Sequence, residues 1–332
     1  MTRVAVIGVG SMGKNHARVY YELPDAELVG VADTNLAGAQ AVAALYGARA
    51  YASYEKMLEV ERPDAVSIVV PTALHRDVAL KVLEAGAHTL VEKPIAATLE
   101  EGEQIICRAR ELARVLMVGH IVRFNPALQV LKQKLQAGDL GRVFQVFCRR
   151  AGPFPARIRD VGVVIDLAPH DVDIMRFLIG ADPLRVFAET EQRIHTDHED
   201  LVFAMLRFPE GVVGALEINW LTPTKVREVL VLGERGLFRV DDLVQDLYFY
   251  ENAQAGGSEL PMNLRTLKGV SEGSMTRFAL QRYEPLRAEL QAFLKSVRGE
   301  APVAVTGEDG LTALRLSLAL VESGRLHQVV EV

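Results

Sequence analysis

The first 120 residues alternate short, almost wholly apolar segments with amphipathic ones, and this alternation constrains the fold more than any other feature. Strands are expected at Val4–Val9, Glu27–Ala32, Ala65–Val70, His88–Val91 and Val115–Val118, and helices at Met12–Tyr21, Leu36–Tyr46, Tyr54–Glu61, Leu74–Ala85 and Leu99–Ala113. The strand segments are near-continuous runs of Val, Ile and Leu, as a parallel sheet covered on both faces requires. The expected fold class here is α/β: a doubly wound parallel sheet.

The first strand runs into "GVGSMG", with Gly8, Gly10 and Gly13 at the spacing of a dinucleotide-binding turn. Gly8 allows the tight turn, Gly10 lets a pyrophosphate approach the backbone, and Gly13 lets helix and strand come close. Ser11 and Met12 open the helix, whose unpaired N–H groups face the phosphates. Asp33 closes the second strand about 20 residues further on, where a ribose-binding acid belongs. Its carboxylate would repel a 2′-phosphate, and residues 34–38, "TNLAG", hold no cation to attract one. NAD is therefore the expected cofactor, in preference to NADP.

Two later strand ends join this crevice, because open α/β sheets bind ligands at the carboxyl ends of their strands. "VVPTALH" brings Pro71, Thr72 and His75. "LVEKPI" brings Glu92, Lys93 and Pro94. A bland turn would use Gly, Asn or Asp where this strand has an acid, a lysine and a proline. A lysine beside a nicotinamide can donate to a substrate hydroxyl and stabilise a developing alkoxide. Pro94 can fix its direction, and a cis bond is one way to do so. The competing reading of Lys93 is a solvated lysine at a strand end.

After "VGHIVRFNPAL" the character changes. A helix is expected at Pro126–Gln136, then alternating strands at Val143–Phe147, Leu184–Glu189, Val202–Phe208, Val212–Ile218 and Val229–Leu232, with a hairpin at "FPEGVV". This pattern predicts an α+β domain with an open, mostly antiparallel sheet, one face covered. The boundary is placed near His120. It divides the chain into a dinucleotide-binding domain (1–120) and a substrate-binding and oligomerisation domain (121–332). The segment Asn252–Gly273 reads as a loop. The open face is apolar enough to suggest a homodimer or homotetramer.

"DVGVVIDLAPHDVDIMRFLIG" is the second chemical constellation. Asp166 and His170 are spaced i, i+4. With a helix starting near Leu167, Asp166 would stand at its cap and His170 in its first turn. A carboxylate beside an imidazole orients the ring, and such a His can accept an alcohol proton as hydride leaves. Spacing alone leaves a second reading open, an N-cap Asp and a satisfied polar His. "CRRAGPFPARIRD" adds Arg149, Arg150, Arg157 and Arg159, and Arg123, Asn125, Lys225 and Arg227 are candidates to converge with them on substrate. Guanidinium groups suit a diphosphate. The alternative is that these are exposed strand and loop charges.

Composition sets the outer limits. A chain of 332 residues exceeds one ordinary core. Hydrophobic residues at 49% indicate a globular protein, and a net charge of −6 argues against nucleic-acid binding. Cys107 and Cys148 lie in apolar segments without CxxC spacing, so buried free thiols, no zinc and a reducing compartment are expected. "HTDHED" has metal-ligand residue types, but His195 and His198 lack a third positioned ligand, and no metal site is expected. No uncharged run reaches the ~18 residues of a membrane span, and the N-terminus reads as a strand rather than a signal peptide. A cytoplasmic protein is expected.

Taken together, "GVGSMG", "VEKP" and "DLAPHDVD" resemble the glucose-fructose oxidoreductase / inositol dehydrogenase / MocA family over essentially the full length. The resemblance implies Lys93, Asp166 and His170 as the catalytic group, a cis bond before Pro94, an open C-terminal sheet used for oligomerisation, and sugar or polyol substrates. "GHIVRFNPA", "DLAPHDVDIM" and "NWLTPTKVRE" look like the branch acting on nucleotide sugars. That implies oxidation at C3 of a UDP-N-acetylglucosamine-type sugar. Two rival readings stand beside it: an inositol or free-sugar dehydrogenase, and a non-catalytic sensor of NAD and sugar nucleotide.

Overall fold

The computed structural model describes residues 1–155, 161–195, 197–254 and 270–332. They form two compact units, Met1–Phe124 with Tyr283–Arg315, and Asn125–Arg282 with Leu316–Val332. The first holds β1 (Thr2–Ile7), α1 (Ser11–Glu22), β2 (Ala26–Ala32), α2 (Leu36–Tyr46), β3 (Arg49–Tyr51), α3 (Tyr54–Glu61), β4 (Ala65–Ile68), α4 (His75–Glu84), β5 (His88–Glu92), α5 (Leu99–Glu111) and β6 (Leu116–Gly119). The strands pair in parallel in the order β3-β2-β1-β4-β5-β6. Crossing from β1 to β4 reverses the winding. The carboxyl ends of those two strands therefore flank the crevice in which such sheets bind dinucleotides.

The apolar runs become the core. Val4, Ala5, Val6, Val66, Ile68, Leu90 and Val91 are wholly buried. Helix ends follow local rules: Asn35, Ser53 and Thr98 each cap a helix by accepting a backbone N–H, and Gly47 ends α2 in the left-handed region. β3 was not expected. It has three residues of mixed polarity, and it exists because Gly30, Val31 and Ala32 of β2 offer it an edge.

The second unit contains α6 (Pro126–Gln136), β7 (Val143–Pro153), α7 (Val163–Ile179), β8 (Arg185–Glu191), β9 (Leu201–Arg207), β10 (Val213–Asn219), β11 (Leu221–Gly233), β12 (Gly236–Asp241), β13 (Asp246–Gln254) and β14 (Val270–Arg277). With β15 (Val330–Glu331) they form a nine-stranded sheet, order β14-β13-β12-β11-β7-β10-β9-β8-β15. Among the described residues of this sheet, only β7 and β10 pair in parallel. α7 lies over β7, β9 and β10. An added Cβ at Gly214 would come within 3.0 Å of the Met175 sulfur, which shows how closely helix and sheet approach. The expected loop at Asn252–Gly273 begins and ends as strand, and its middle lies outside the described residues.

One expectation needs correction. Residues 283–315 were assigned to the second domain, but they belong to the first unit. They carry α8 (Pro285–Val297) and the start of α9 (Gly307–Leu326). Leu286, Leu290, Phe293 and Leu294 of α8 join the core of the first unit, so burial returns the chain to a domain it had left.

Candidate active site

The glycine turn works by close approach. Gly8 has φ 91, and a Cβ there would lie 2.4 Å from the Val69 carbonyl oxygen. A Cβ at Gly13 would lie 1.9 Å from the Gly8 carbonyl oxygen, whereas one at Gly10 would meet nothing within 4 Å. Gly10 therefore faces open space at the N-terminus of α1, where no side chain caps the helix. That is the surface a pyrophosphate needs. Asp33 is fixed beside it: one oxygen accepts from the Val9 N–H at 2.7 Å and the other from the Asn35 N–H at 2.8 Å. A cavity of about 360 Å³, lined by Gly8, Gly10, Asp33, Thr34, Val70 and Pro71 among others, runs from the turn to the end of β4. A larger open cleft lies at the opposite, amino ends of the strands, lined by Thr2, Asp25, Asp64 and His88. The glycine turn and Asp33 are not part of it.

The Lys93–Pro94 bond is cis. Glu92 ends β5 with one oxygen 3.0 Å from His16 Nε2 and the other accepting from the Lys93 N–H at 3.2 Å. Burial acts to raise this carboxyl. The His16 hydrogen bond and the charges of His16 and Lys93 outweigh burial and hold it below the usual range. Lys93 itself is half-buried. His75 is placed differently from the crevice-lining role expected of it. It is buried, with Nδ1 2.8 Å from the Pro94 carbonyl oxygen and Nε2 2.9 Å from that of Val70. It thus ties the ends of β4 and β5 together, and burial lowers its pKa. Pro71 and Thr72 stand at the short turn that leads into α4.

In the second unit α7 begins at Val163, earlier than the expected Leu167. The backbone of Glu199 accepts from the Val163 N–H at 2.9 Å and its side chain from the Val164 N–H at 3.1 Å, so a distant loop caps the helix. Asp166 is therefore in the first turn and not at the cap. His170 follows one turn later on the same side, and both are half-buried. Pro169 lies between them inside the helix and cannot donate to the Ile165 carbonyl.

The expected substrate arginines separate. Arg150 is buried and paired with Asp171, Nε to Oδ2, at 2.8 Å. Arg227 donates to the Ala151 and Val226 carbonyls at 2.7 Å each. Burial, then repulsion by Arg150, lowers its pKa, and the charge of Asp166 acts on it in the opposite sense. Asn125 caps α6 and donates to the Asp242 carbonyl at 3.0 Å. Burial pushes the Asp242 carboxyl up. Buried Asn125, Arg150 and Asp171 and half-buried Arg227 and Asp242 thus form one polar group electrostatically linked to Asp166. Asp171 and Asp242 were not anticipated; the only local signal was the "HDVD" run after Pro169. Lys225 is exposed, Arg149 pairs with Glu217 at 3.1 Å, and Arg123 belongs to the first unit, paired with Asp309 at 3.2 Å. Arg157 and Arg159 lie outside the described residues.

His195 is buried, and its Nδ1 accepts from the N–H groups of Asp197 and His198 while the ring stacks on Trp220. Among the described residues no group of three or more His, Cys, Asp or Glu could hold a metal. Cys107 and Cys148 are free; Cys107 is exposed on α5, not buried as its apolar segment suggested, and burial pushes the Cys148 thiol well up. No helix among the described residues is long and apolar enough to cross a membrane.

A glycine turn open at a helix N-terminus, an acid anchored at the end of β2 and a strand-end lysine fit an oxidoreductase with an NAD-binding Rossmann domain. Residues 2–120 match the model of the oxidoreductase family with that NAD-binding fold, and residues 128–239 match the GFO/IDH/MocA C-terminal domain. The chain belongs to the Gfo/Idh/MocA oxidoreductase family. It is 34% identical over 316 residues to UDP-N-acetylglucosamine 3-dehydrogenase of Acidithiobacillus ferrooxidans, covering 95% of each chain. A crystal structure of that enzyme aligns with a TM-score of 0.85 over 97% of each chain at 32% identity. Scyllo-inositol 2-dehydrogenase (NAD(+)) of Bacillus subtilis is 30% identical, covering 97% of this chain and 94% of the relative. The WlbA dehydrogenase from Bordetella pertussis, solved with NADH and UDP-GlcNAcA, aligns with a TM-score of 0.81 at 26% identity over 100% of this chain and 98% of that one. The protein is an NAD-binding oxidoreductase whose named relatives are dehydrogenases and reductases of sugars and polyols.

Proposed function

We propose that this protein oxidises a secondary hydroxyl of a nucleotide sugar, C3 of a UDP-N-acetylglucosamine-type substrate, to the keto sugar. Bound NAD supplies the hydride acceptor. Lys93 donates a hydrogen bond to the reacting hydroxyl and stabilises its oxyanion character. His170, oriented by Asp166, accepts the hydroxyl proton. Gly10 and the start of α1 receive the pyrophosphate, and Asp33 receives ribose hydroxyls. The observation that carries this reading is the setting of Lys93. It follows a β-strand end whose acid is held by His16, and it precedes a proline whose carbonyl is held by His75.

The nucleotide-sugar substrate is supported by the two relatives whose names include one, and the inositol dehydrogenase supports a second reading, a free polyol. The test is a panel of UDP-N-acetylglucosamine, its uronic acid, free sugars and inositols with NAD, followed by NADH absorbance. Turnover of the UDP-sugars alone is expected. Turnover of inositol without any diphosphate requirement would replace this reading with the second, and binding without absorbance change would indicate a sensor.

A second copy of the chain is the proposed occupant of the open sheet face. Phe187, Met205, Ala215, Phe147 and Leu230 lie side by side across β8, β9, β10, β7 and β11. Met205 and its strand neighbour Phe203 are at least half exposed, at 56% and 50%. A row of this kind suits a self-complementary interface. The two free thiols suit a reducing compartment such as the cytoplasm.

A further inference from the structure

α8 carries one residue that its surroundings do not explain. Glu289 lies on a helix whose Leu286, Leu290, Phe293 and Leu294 are core residues. It is 0% exposed, and neither carboxyl oxygen has a hydrogen-bond partner among the described residues. α8 packs against α1 and against the turn Ile121–Phe124. Around it, α1 supplies Tyr20, whose hydroxyl is bonded to Ser67 at 2.8 Å, and His16, one turn earlier and paired with Glu92. The end of β5 supplies Glu92, whose charge acts on Glu289. The turn supplies Arg123, paired with Asp309, and buried His120 precedes it.

An ionised carboxylate without a partner is not held in an apolar interior; the group keeps its proton instead. Burial first, and then the negative charge of Glu92, push Glu289 well above the usual carboxylate range. Glu92 is in the opposite situation. It is fixed by His16 Nε2 at 3.0 Å and the Lys93 N–H at 3.2 Å, and it lies so close over Gly119 that a Cβ there would be 3.1 Å from its carboxyl. Two electrostatically interacting acids are thus separated by environment, one ionised and one neutral.

We propose that Glu289 is a positioning residue for Lys93: a buried carboxylic acid whose retained proton leaves Glu92 as the anion that holds the lysine's backbone. Loss of that proton to solvent at alkaline pH sets the buried Glu289 carboxylate against that of half-buried Glu92 and loosens the hold on Lys93. The protonation follows from the burial alone. The link to turnover rests on the proposal that Lys93 acts on substrate.

The test compares the full chain with Glu289→Gln, a neutral isostere. The folded wild type keeps a proton that the unfolded chain releases above about pH 4.3. Its unfolding constant, relative to Glu289→Gln, should therefore rise about tenfold per pH unit from there until Glu289 ionises in the folded state, and then level off. Urea unfolding at a series of pH values reads this ratio. An infrared carboxylic-acid band at about pH 8, absent from Glu289→Gln, reads the same proton in the native protein and does not depend on the variant's stability. A pH-independent ratio with no such band would overturn the protonation. For turnover, NADH formation from UDP-N-acetylglucosamine should lose its alkaline limb at a lower pH in wild type than in Glu289→Gln, by about one pH unit or more. Superimposable alkaline limbs would overturn the positioning role. Should Lys93→Met leave turnover unchanged, the catalytic reading of Lys93 falls while the stability ratio still reports on Glu289.

Discussion

Asp33 bears on cofactor choice through what holds it. Val9 and Asn35 donate one backbone N–H to each oxygen, so the carboxylate stays at the end of β2 with lone pairs left for ribose hydroxyls. Hydrogen bonds to a charged group contribute about 1.5–3 kcal/mol each. Asp33→Ala should therefore weaken NAD binding by about 10- to 100-fold and narrow its advantage over NADP, measured by fluorescence titration of both cofactors. Equal wild-type turnover with NADP would contradict the assignment. Lys93 and His170 are separable by kinetics. Lys93→Met keeps the stem and removes the donor, so kcat should fall by roughly two to three orders of magnitude with NAD binding retained. His170→Ala removes a base and should cost ~10²–10⁴ in kcat; near-normal kcat across the pH range would make His170 structural. These candidates could be named because each sits in a short motif. Asp171 and Asp242 could not, because what marks them is their pairing with Arg150 and Asn125, from strands and helices far apart in the chain.

At the scale of elements, local signals served well where one element decided its own bounds. α2, α3 and α6 begin and end where periodicity placed them, and in the structure Asn35, Ser53 and Asn125 cap them. α7 did not, because its cap is Glu199, 36 positions after Val163 and its acceptor through space. β12, β13 and β14 went unpredicted. They lie on the far side of β11, where sequence such as "GLFRVD" alternates too briefly to distinguish strand from loop. The first turn makes a sharp prediction. Gly13→Ala places a methyl 1.9 Å from a backbone oxygen that cannot withdraw, so the thermal midpoint should drop strongly or the chain fail to fold. Gly10→Ala meets nothing within 4 Å and should leave the midpoint nearly unchanged while weakening NAD binding. Equal effects on stability from the two substitutions would mean that Gly10 is not the ligand-facing position.

For the molecule as a whole, the apolar row from Phe187 to Leu230 predicts self-association. Met205→Glu puts a charge into this row, on an already exposed position, and should convert the assembly to monomers with little change in thermal midpoint, as read by sedimentation velocity. A monomeric wild type would remove the proposal. Fold class and cofactor turn were readable from the chain alone, because hydrophobic period and glycine spacing are local and survive without coordinates; Lys93, Asp166 and His170 could be named as candidates because they stand in short motifs. Tertiary structure alone decided three things: that 283–315 return to the first unit, that His75 braces two strand ends, and that Glu289 is buried with neither carboxyl oxygen hydrogen-bonded among the described residues. Each depends on which distant segments bury one another. Burial rewards apolar area wherever the chain can bring it together, so it leaves no mark at any one position of the sequence.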